Sequence, residues 1–273
     1  MPDSEGNPLN EAEARALLHG PAGLELWRAA ASYVVPIYWV LVEETDSHIL
    51  HNGSGFFLRV EGPTLLVTAA HVIRRFEADR ALHGAAVKAQ VMNVGFDPLK
   101  HLVDIDDSID IATISVPDNL PERVGKWVYQ RPASGWPPAP PTAGRGLFFT
   151  GFPGILRTEL ATDSVEYGLY GGLLTATTVS DDNVVSQLNR DHVEPLSGLD
   201  APPMNAALGG MSGAPGWTLT QVGWRLAGVL YEYSQDYELF YCRRADRIRP
   251  DGSLVRGDER NGASSGFVVR PRV

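Results

Sequence analysis

Apolar residues follow two different rhythms along this chain. Between residues 10 and 31 they recur at helical spacing, after a capping-box-like start in which Asn10 precedes Glu13. Gly20-Pro21 interrupts the run and "GLELWRAAA" resumes it, so the pattern predicts a helical N-terminal extension over residues 1–32. From Tyr33 the rhythm changes. Short stretches rich in Val, Ile, Leu and aromatics alternate with Gly, Pro, Asp and Asn, as in "VVPIYWVLVEE", "GSGFFLRVEG", "TLLVTAAHV", "VKAQVMNVG", "IDIATISVP", "RGLFFTGFP", "GLYGGLLTATTV", "RLAGVLYEYS" and "ELFYCRRA". Many short strands separated by turn residues predict an all-β barrel or sandwich. No alternation of strands with long helices suggests a parallel α/β sheet.

One segment breaks the strand pattern. "QRPASGWPPAPPTAGRG", Gln130 to Gly146, holds five prolines. Proline donates no ladder hydrogen bond, so this run is expected to be an extended connection. It divides the β region into halves at 33–129 and 147–250, followed by a tail at 251–273. The chain has 273 residues, enough for one large β domain or two small ones. Its net charge of -10 argues against a sequence-independent grip on nucleic acid or an anionic membrane. The longest strongly apolar run, Tyr33 to Val42, contains a proline and is too short to span a bilayer. The N-terminus has neither a basic n-region nor an apolar h-region, so no secretory signal and a cytoplasmic location are expected. The single cysteine, Cys242, excludes an internal disulfide framework, fits a reducing compartment and reads as a small core thiol.

Three polar residues stand out against this background. His71 ends the apolar strand "TLLVTAAHVI", where small residues before it allow close backbone packing. A lone histidine at such a place is more often a satisfied core residue than a catalyst. Asp110 differs from Asp104, Asp106 and Asp107, which read as a solvated loop, because apolar residues enclose it in "IDIATISV". A carboxylate at the mouth of a buried strand needs a partner, and a histidine that must keep one tautomer is such a partner. Ser212 lies in "GGMSGAPGW". The flanking glycines serve an ordinary turn, or they free the backbone to aim the Gly210 and Ser212 amides at one point, an oxyanion hole. "HILH" offers His48 and His51 as a metal pair, but no third ligand accompanies them and a hairpin loop is the better reading.

Taken together, "GSGFFL", "TAAHVI", "DIATISV", "GFPG", "GGMSGAPGW" and "LAGVLYEY", in this order over about residues 33 to 250, resemble the trypsin-like (chymotrypsin-fold) serine peptidases. The resemblance implies two packed antiparallel β-barrels, with His71 and Asp110 from the first and Ser212 from the second. It implies that Ser212 attacks a scissile carbonyl, His71 takes its proton, Asp110 holds the imidazolium, and no metal or cofactor is needed. It places Ala206 at the base of the primary specificity pocket and Val229, Leu230, Tyr231 and Glu232 on the strand that pairs with a polypeptide substrate.

The chain also departs from the digestive members of that family. Met211 stands where they carry the aspartate that receives a freed N-terminal amine, and it can make no such ion pair. With the missing cysteines, this points to the bacterial or organellar intracellular branch. Ala206 lacks the acid that would select Arg or Lys, unless Glu232 or Glu238 supplies one, so a small or apolar residue is expected there. The helical extension suggests a regulatory protein partner, as in a bacterial stress or antiviral system. The alternative is an inactive relative that binds peptides in the same cleft.

Overall fold

The computed structural model describes residues 16, 18–42, 48–161, 164–189, 193–194, 207–220, 223–257 and 259. The fold is mostly β. Sixteen strands are present among the described residues: β1 (Val34–Val42), β2 (His48–Arg59), β3 (Leu65–Thr68), β4 (Gln90–Val91), β5 (Val94–Gly95), β6 (Leu102–Asp106), β7 (Ile111–Ser115), β8 (Val128–Gln130), β9 (Gly146–Gly151), β10 (Arg157–Ala161), β11 (Ser164–Tyr167), β12 (Tyr170–Val179), β13 (Asn183–Gln187), β14 (Pro215–Thr220), β15 (Gly223–Ser234) and β16 (Leu239–Arg244).

The second half closes on itself. Strands β12-β13-β16-β15-β14-β9 form a six-stranded barrel, sealed where β9 pairs with β12 from Gly151↔Tyr170 to Gly146↔Thr175. Leu147, Phe149, Ala176, Val184, Leu230, Phe240 and Cys242 fill its interior. The first half forms an eight-stranded sheet in the order β5-β4-β1-β2-β3-β7-β6, with β8 added in parallel to the end of β2. Of the two barrels expected, one is therefore closed. In the first half the end strands β5 and β6 do not pair, and β4 and β5 span two residues each, too few to carry the sheet round to β6.

The two halves share a core. Phe56, Leu58, Leu65, Val67 and Ile111 from the first sheet meet Trp217, Leu226 and Val229 from the barrel, with Trp136, Ile248 and Leu254 completing the seam. Phe56 is fully buried there, a burial that contributes about 1.5–3 kcal/mol. Trp136, within the proline-rich segment, donates its indole N–H to the Ile248 carbonyl at 2.7 Å. The N-terminal helix Pro21–Ala31 caps the same seam. Trp27 packs on it, and Thr150 and Lys126 donate to the Ala30 and Ala31 carbonyls. The proposed cap at Asn10 and Glu13 lies outside the described residues.

One helix was not evident from the sequence. Ala70–His83 follows β3 directly and carries His71 in its first turn. Ala70, Val72, Ile73 and Phe76 are its buried apolar positions, and Val72 and Phe76 pack against Trp39 and Leu41 of β1. Asp79 is buried on the same face and accepts from the Trp39 indole at 2.8 Å and from Arg75 at 3.1 Å. A buried carboxylate without such donors would be costly, so this pair fixes the helix on β1 as well as balancing the charge. Gly84, with φ +80, ends the helix.

Candidate active site

The strand-to-helix junction after Thr68 is made tight by Ala69 and Ala70, both fully buried. His71 follows with half its side chain exposed. One carboxylate grips it twice. Asp110 Oδ1 accepts from the His71 backbone N–H at 2.9 Å, and Asp110 Oδ2 lies 2.7 Å from Nδ1. The first contact satisfies an amide that the helix itself leaves without an acceptor, and puts negative charge at the positive end of the helix dipole. The second fixes the ring. A carboxylate only accepts, so Nδ1 is the donor and the neutral imidazole carries its lone pair on Nε2.

Asp110 has φ +53, a left-handed conformation that a non-glycine residue adopts only when its surroundings impose it. Those surroundings are visible. Asp106 Oδ1 accepts from the Ser108 amide at 2.8 Å, the Ser108 hydroxyl at 2.6 Å and the Ile109 amide at 3.2 Å. Burial acts most strongly against the charge of Asp106, but these bonds and Arg256 outweigh it and hold its carboxyl below the ordinary value. The acidic cluster is therefore not the solvated loop that its composition suggests. Asp104 and Asp106 both reach Arg256, at 2.9 and 3.3 Å, and Asp104 also accepts from the Leu254 amide at 2.9 Å. Asp107 pairs with Arg74 at 3.0 Å and is the most exposed of the three.

The Ser212 loop is held from behind. The Ser54 amide donates to the Ser212 carbonyl at 2.8 Å, and the Ser54 hydroxyl donates to the Gly210 carbonyl at 2.8 Å while accepting from the Phe152 amide at 2.9 Å. The Gly154 amide donates to the Gly209 carbonyl at 2.7 Å. Because a trans peptide is planar, pinning the Gly209 oxygen toward Gly154 turns the Gly210 N–H the other way. Neither the Gly210 amide nor the Ser212 amide has an acceptor among the described residues. Two glycines are sterically required. A β-carbon on Gly210 (φ +97) would lie 2.4 Å from Asn52 Nδ2, and one on Gly213 (φ +91) would lie 1.9 Å from the Ser54 carbonyl oxygen and 3.0 Å from the Ala69 amide. The residue after Ser212 thus packs against the residue two before His71, which brings the histidine and the serine to one seam. The Ser212 hydroxyl donates to the Tyr231 carbonyl at 3.3 Å, and no hydrogen bond joins it to His71 among the described residues. Met211 is buried in the barrel core beside Gly151.

The expected substrate strand divides in two. Val229 and Leu230 are buried, Val229 in the seam and Leu230 in the barrel. The Leu230 amide and carbonyl bond to Ala214 and Gly213. Neither residue is brought to the cleft. From Tyr231 onward β15 has lost its β14 partner and, among the described residues, pairs with β16 alone, so Tyr231 and Glu232 lie on the part of the strand that these residues leave with one open edge. Ala206 lies outside the described residues. Of the two histidines of "HILH", His48 is exposed, whereas His51 stacks on Trp39 with Nε2 3.7 Å from Asp79. No group of three or more His, Cys, Asp or Glu residues among those described could hold a metal ion. Cys242 is fully buried and its thiol is pushed up to about 12, so it supplies no thiolate. No helix among the described residues is long and apolar enough to cross a membrane.

Two residues that shape the site were not singled out from the sequence. Ser54 lies between two glycines within β2, fully buried, and its signal in the sequence is a serine placed directly before the apolar run "FFL". Arg243 donates from β16 to the Ile109 carbonyl at 2.8 Å, just ahead of Asp110.

Comparison with known proteins adds little to this picture. No protein-family model matches the chain, and no curated protein matches it. Solved structures do match. One comes from work on the coupled folding and binding of the intrinsically disordered VPg protein of Sesbania mosaic virus. It is 14% identical, covers 78% of this chain and 92% of its own, and has a TM-score of 0.40, too low to carry an argument about fold or activity. The mostly β build with one closed six-stranded barrel is compatible with a chymotrypsin-like fold.

Proposed function

We propose that the chain is a trypsin-like serine endopeptidase that cleaves polypeptides through Ser212, His71 and Asp110, working in the bacterial cytoplasm and answering to a regulatory protein. The observation that carries the reading is the double grip of Asp110 on His71, together with a glycine-built loop whose Gly210 and Ser212 amides have no acceptor among the described residues. A structural histidine needs no such orientation, and an ordinary turn has no reason to leave two donors open on either side of the bonded Met211 amide.

The chemistry follows from these groups. A rotation about χ1 moves the Ser212 hydroxyl from the Tyr231 carbonyl toward Nε2 of His71; loose geometry of this kind before substrate binds is common. As Oγ attacks the scissile carbonyl, its proton passes to Nε2, and Asp110 stabilises the imidazolium without taking the proton. The carbonyl oxygen becomes an oxyanion and accepts from the Gly210 and Ser212 amides. Nε2–H then protonates the leaving amine, the C–N bond breaks, and an acyl-enzyme remains. Water, deprotonated by the same nitrogen, hydrolyses it. The substrate backbone adds to the open edge of β15 from Tyr231 onward.

The test is active-site labelling. A fluorophosphonate should modify the wild-type protein and fail on Ser212→Ala and on His71→Ala. Labelling that persists in Ser212→Ala removes Ser212 from the role. A second reading, a peptide-binding module in the same cleft, is favoured by the engagement of the Ser212 hydroxyl with Tyr231. It expects peptide binding with no labelling of the wild type.

A further inference from the structure

Asp110 keeps its left-handed backbone because the two residues before it, Ser108 and Ile109, are fixed on both sides. Their amide side belongs to Asp106, which takes the Ser108 and Ile109 N–H groups. Their carbonyl side belongs to Arg243, a residue 134 positions away. Its Nε donates to the Ile109 carbonyl at 2.8 Å and its Nη2 to the Ser108 carbonyl at 3.4 Å. Asp106 is local to its loop, but Arg243 comes from β16 of the barrel, where it pairs with Val229 and Asn183. The guanidinium also lies over the Tyr231 ring, 4.7 Å from its centroid. Tyr231 is the residue whose carbonyl accepts the Ser212 hydroxyl. One cation therefore touches the loop that presents Asp110 and the residue that holds Ser212.

We infer that Arg243 is a positioning residue that sets the Asp110 carboxylate against His71 and ties that pair to the Ser212 side of the seam. The inference rests on the peptidase reading for its consequence in catalysis, but its geometric content stands without it. Arginine suits the task because its planar fork reaches two carbonyls while one face stays on an aromatic ring. Lysine keeps the charge and can reach one carbonyl, but offers no flat face and no fixed fork. A role confined to holding the halves together would lower the melting temperature and leave the His71–Asp110 contact as it is.

Full-length Arg243→Gln and Arg243→Lys are compared with wild type in two measurements. The first is the low-field proton resonance of His71 Nδ1–H, identified by its loss in His71→Ala; it reports the contact to Asp110 whether or not the protein is active. The second is the rate of fluorophosphonate labelling across pH. In Arg243→Gln the resonance should broaden or vanish and labelling should slow by about 10²-fold, the scale of an ångström-sized misplacement. Arg243→Lys should recover part of both. An unshifted, sharp resonance in Arg243→Gln, with labelling at the wild-type rate, overturns the inference even if the melting temperature falls. If Arg243→Gln does not fold, the same criteria apply to Arg243→Lys. Absence of labelling in the wild type would sink the peptidase reading, and the resonance alone would then decide for or against Arg243.

Discussion

Replacing Gly210 by alanine adds one carbon at the most confined point of the Ser212 loop. That carbon would stand 2.4 Å from Asn52 Nδ2, 2.7 Å from the Phe152 carbonyl oxygen and 3.0 Å from the Gly154 amide. Two of these neighbours are backbone, and the third is tied to one of them, since Asn52 Nδ2 donates to the Phe152 carbonyl at 2.8 Å. The loop must move instead. At φ +97 an alanine costs about 1–2 kcal/mol before any clash is counted. Moving Gly210 turns the peptides on both sides of it, 209–210 and 210–211, and breaks the bonds from Gly154 and from the Ser54 hydroxyl, each worth about 1 kcal/mol. For stability the sum is roughly 3–4 kcal/mol, or a melting temperature lower by about 6–16 °C for a domain of this size. For activity, one oxyanion donor is lost, which should cut kcat about 10²–10³-fold with little change in KM. Gly223→Ala separates the two effects, because Gly223 has φ +111 with nothing within 4 Å of an added carbon. It should show the conformational cost and keep wild-type kcat. Thermal melts and initial rates on a small peptide ester measure both quantities. A folded Gly210→Ala protein with unchanged kcat would refute the assignment of the Gly210 amide.

Other substitutions probe the same architecture. Asp110→Asn should lower kcat by about 10⁴-fold by favouring the wrong tautomer of His71. Asp107→Asn, which gives up an exposed pair with Arg74, should leave kcat unchanged within error; equal losses at the two positions would overturn the choice of Asp110. The carboxyl of Asp106 is held below 3.8 in the folded protein, so its contribution to stability is present above that pH and is lost as pH falls through the lower folded value. Melting temperatures should therefore drop on acidification below about pH 4, and the drop should be shallower in Asp106→Asn; an identical slope would contradict this. Cys242, buried and pushed up to about 12, should resist iodoacetamide at pH 8 until the chain is unfolded, as mass spectrometry would show.

What the sequence conveyed depended on whether a feature is local. The turn glycines around Ser212 and the small residues before His71 are local necessities, and they could be read directly. Helix Ala70–His83 could not, because its buried stripe includes Asp79, whose partner Trp39 lies forty positions earlier in the chain. "DIDD" reads as polar loop by composition, yet β6 runs through it, since Asp104 and Asp106 face Arg256 of the returning C-terminal segment. Closure of the first sheet depends on β4 and β5, whose two-residue lengths no periodicity reveals. Val229 and Leu230 lie on the expected strand, but their backbone groups are claimed by β14 and the Ser212 loop, a fact of pairing rather than of pattern.

The bonds that steady the Ser212 loop and the Asp110 loop from across the seam span long stretches of chain: 156 residues from Ser54 to Gly210 and 134 from Ile109 to Arg243. Such contacts form late, because loop-closure entropy opposes them until the rest of the fold is in place. During synthesis the segment with His71 and Asp110 leaves the ribosome first, and it does so without Ser54 having a loop to hold or Arg243 to steady it. On the peptidase reading, a chain put together in this order has no working centre while it is still unfolded and easy to cut. The long reach of these few hydrogen bonds makes competence the last thing the nascent protein acquires.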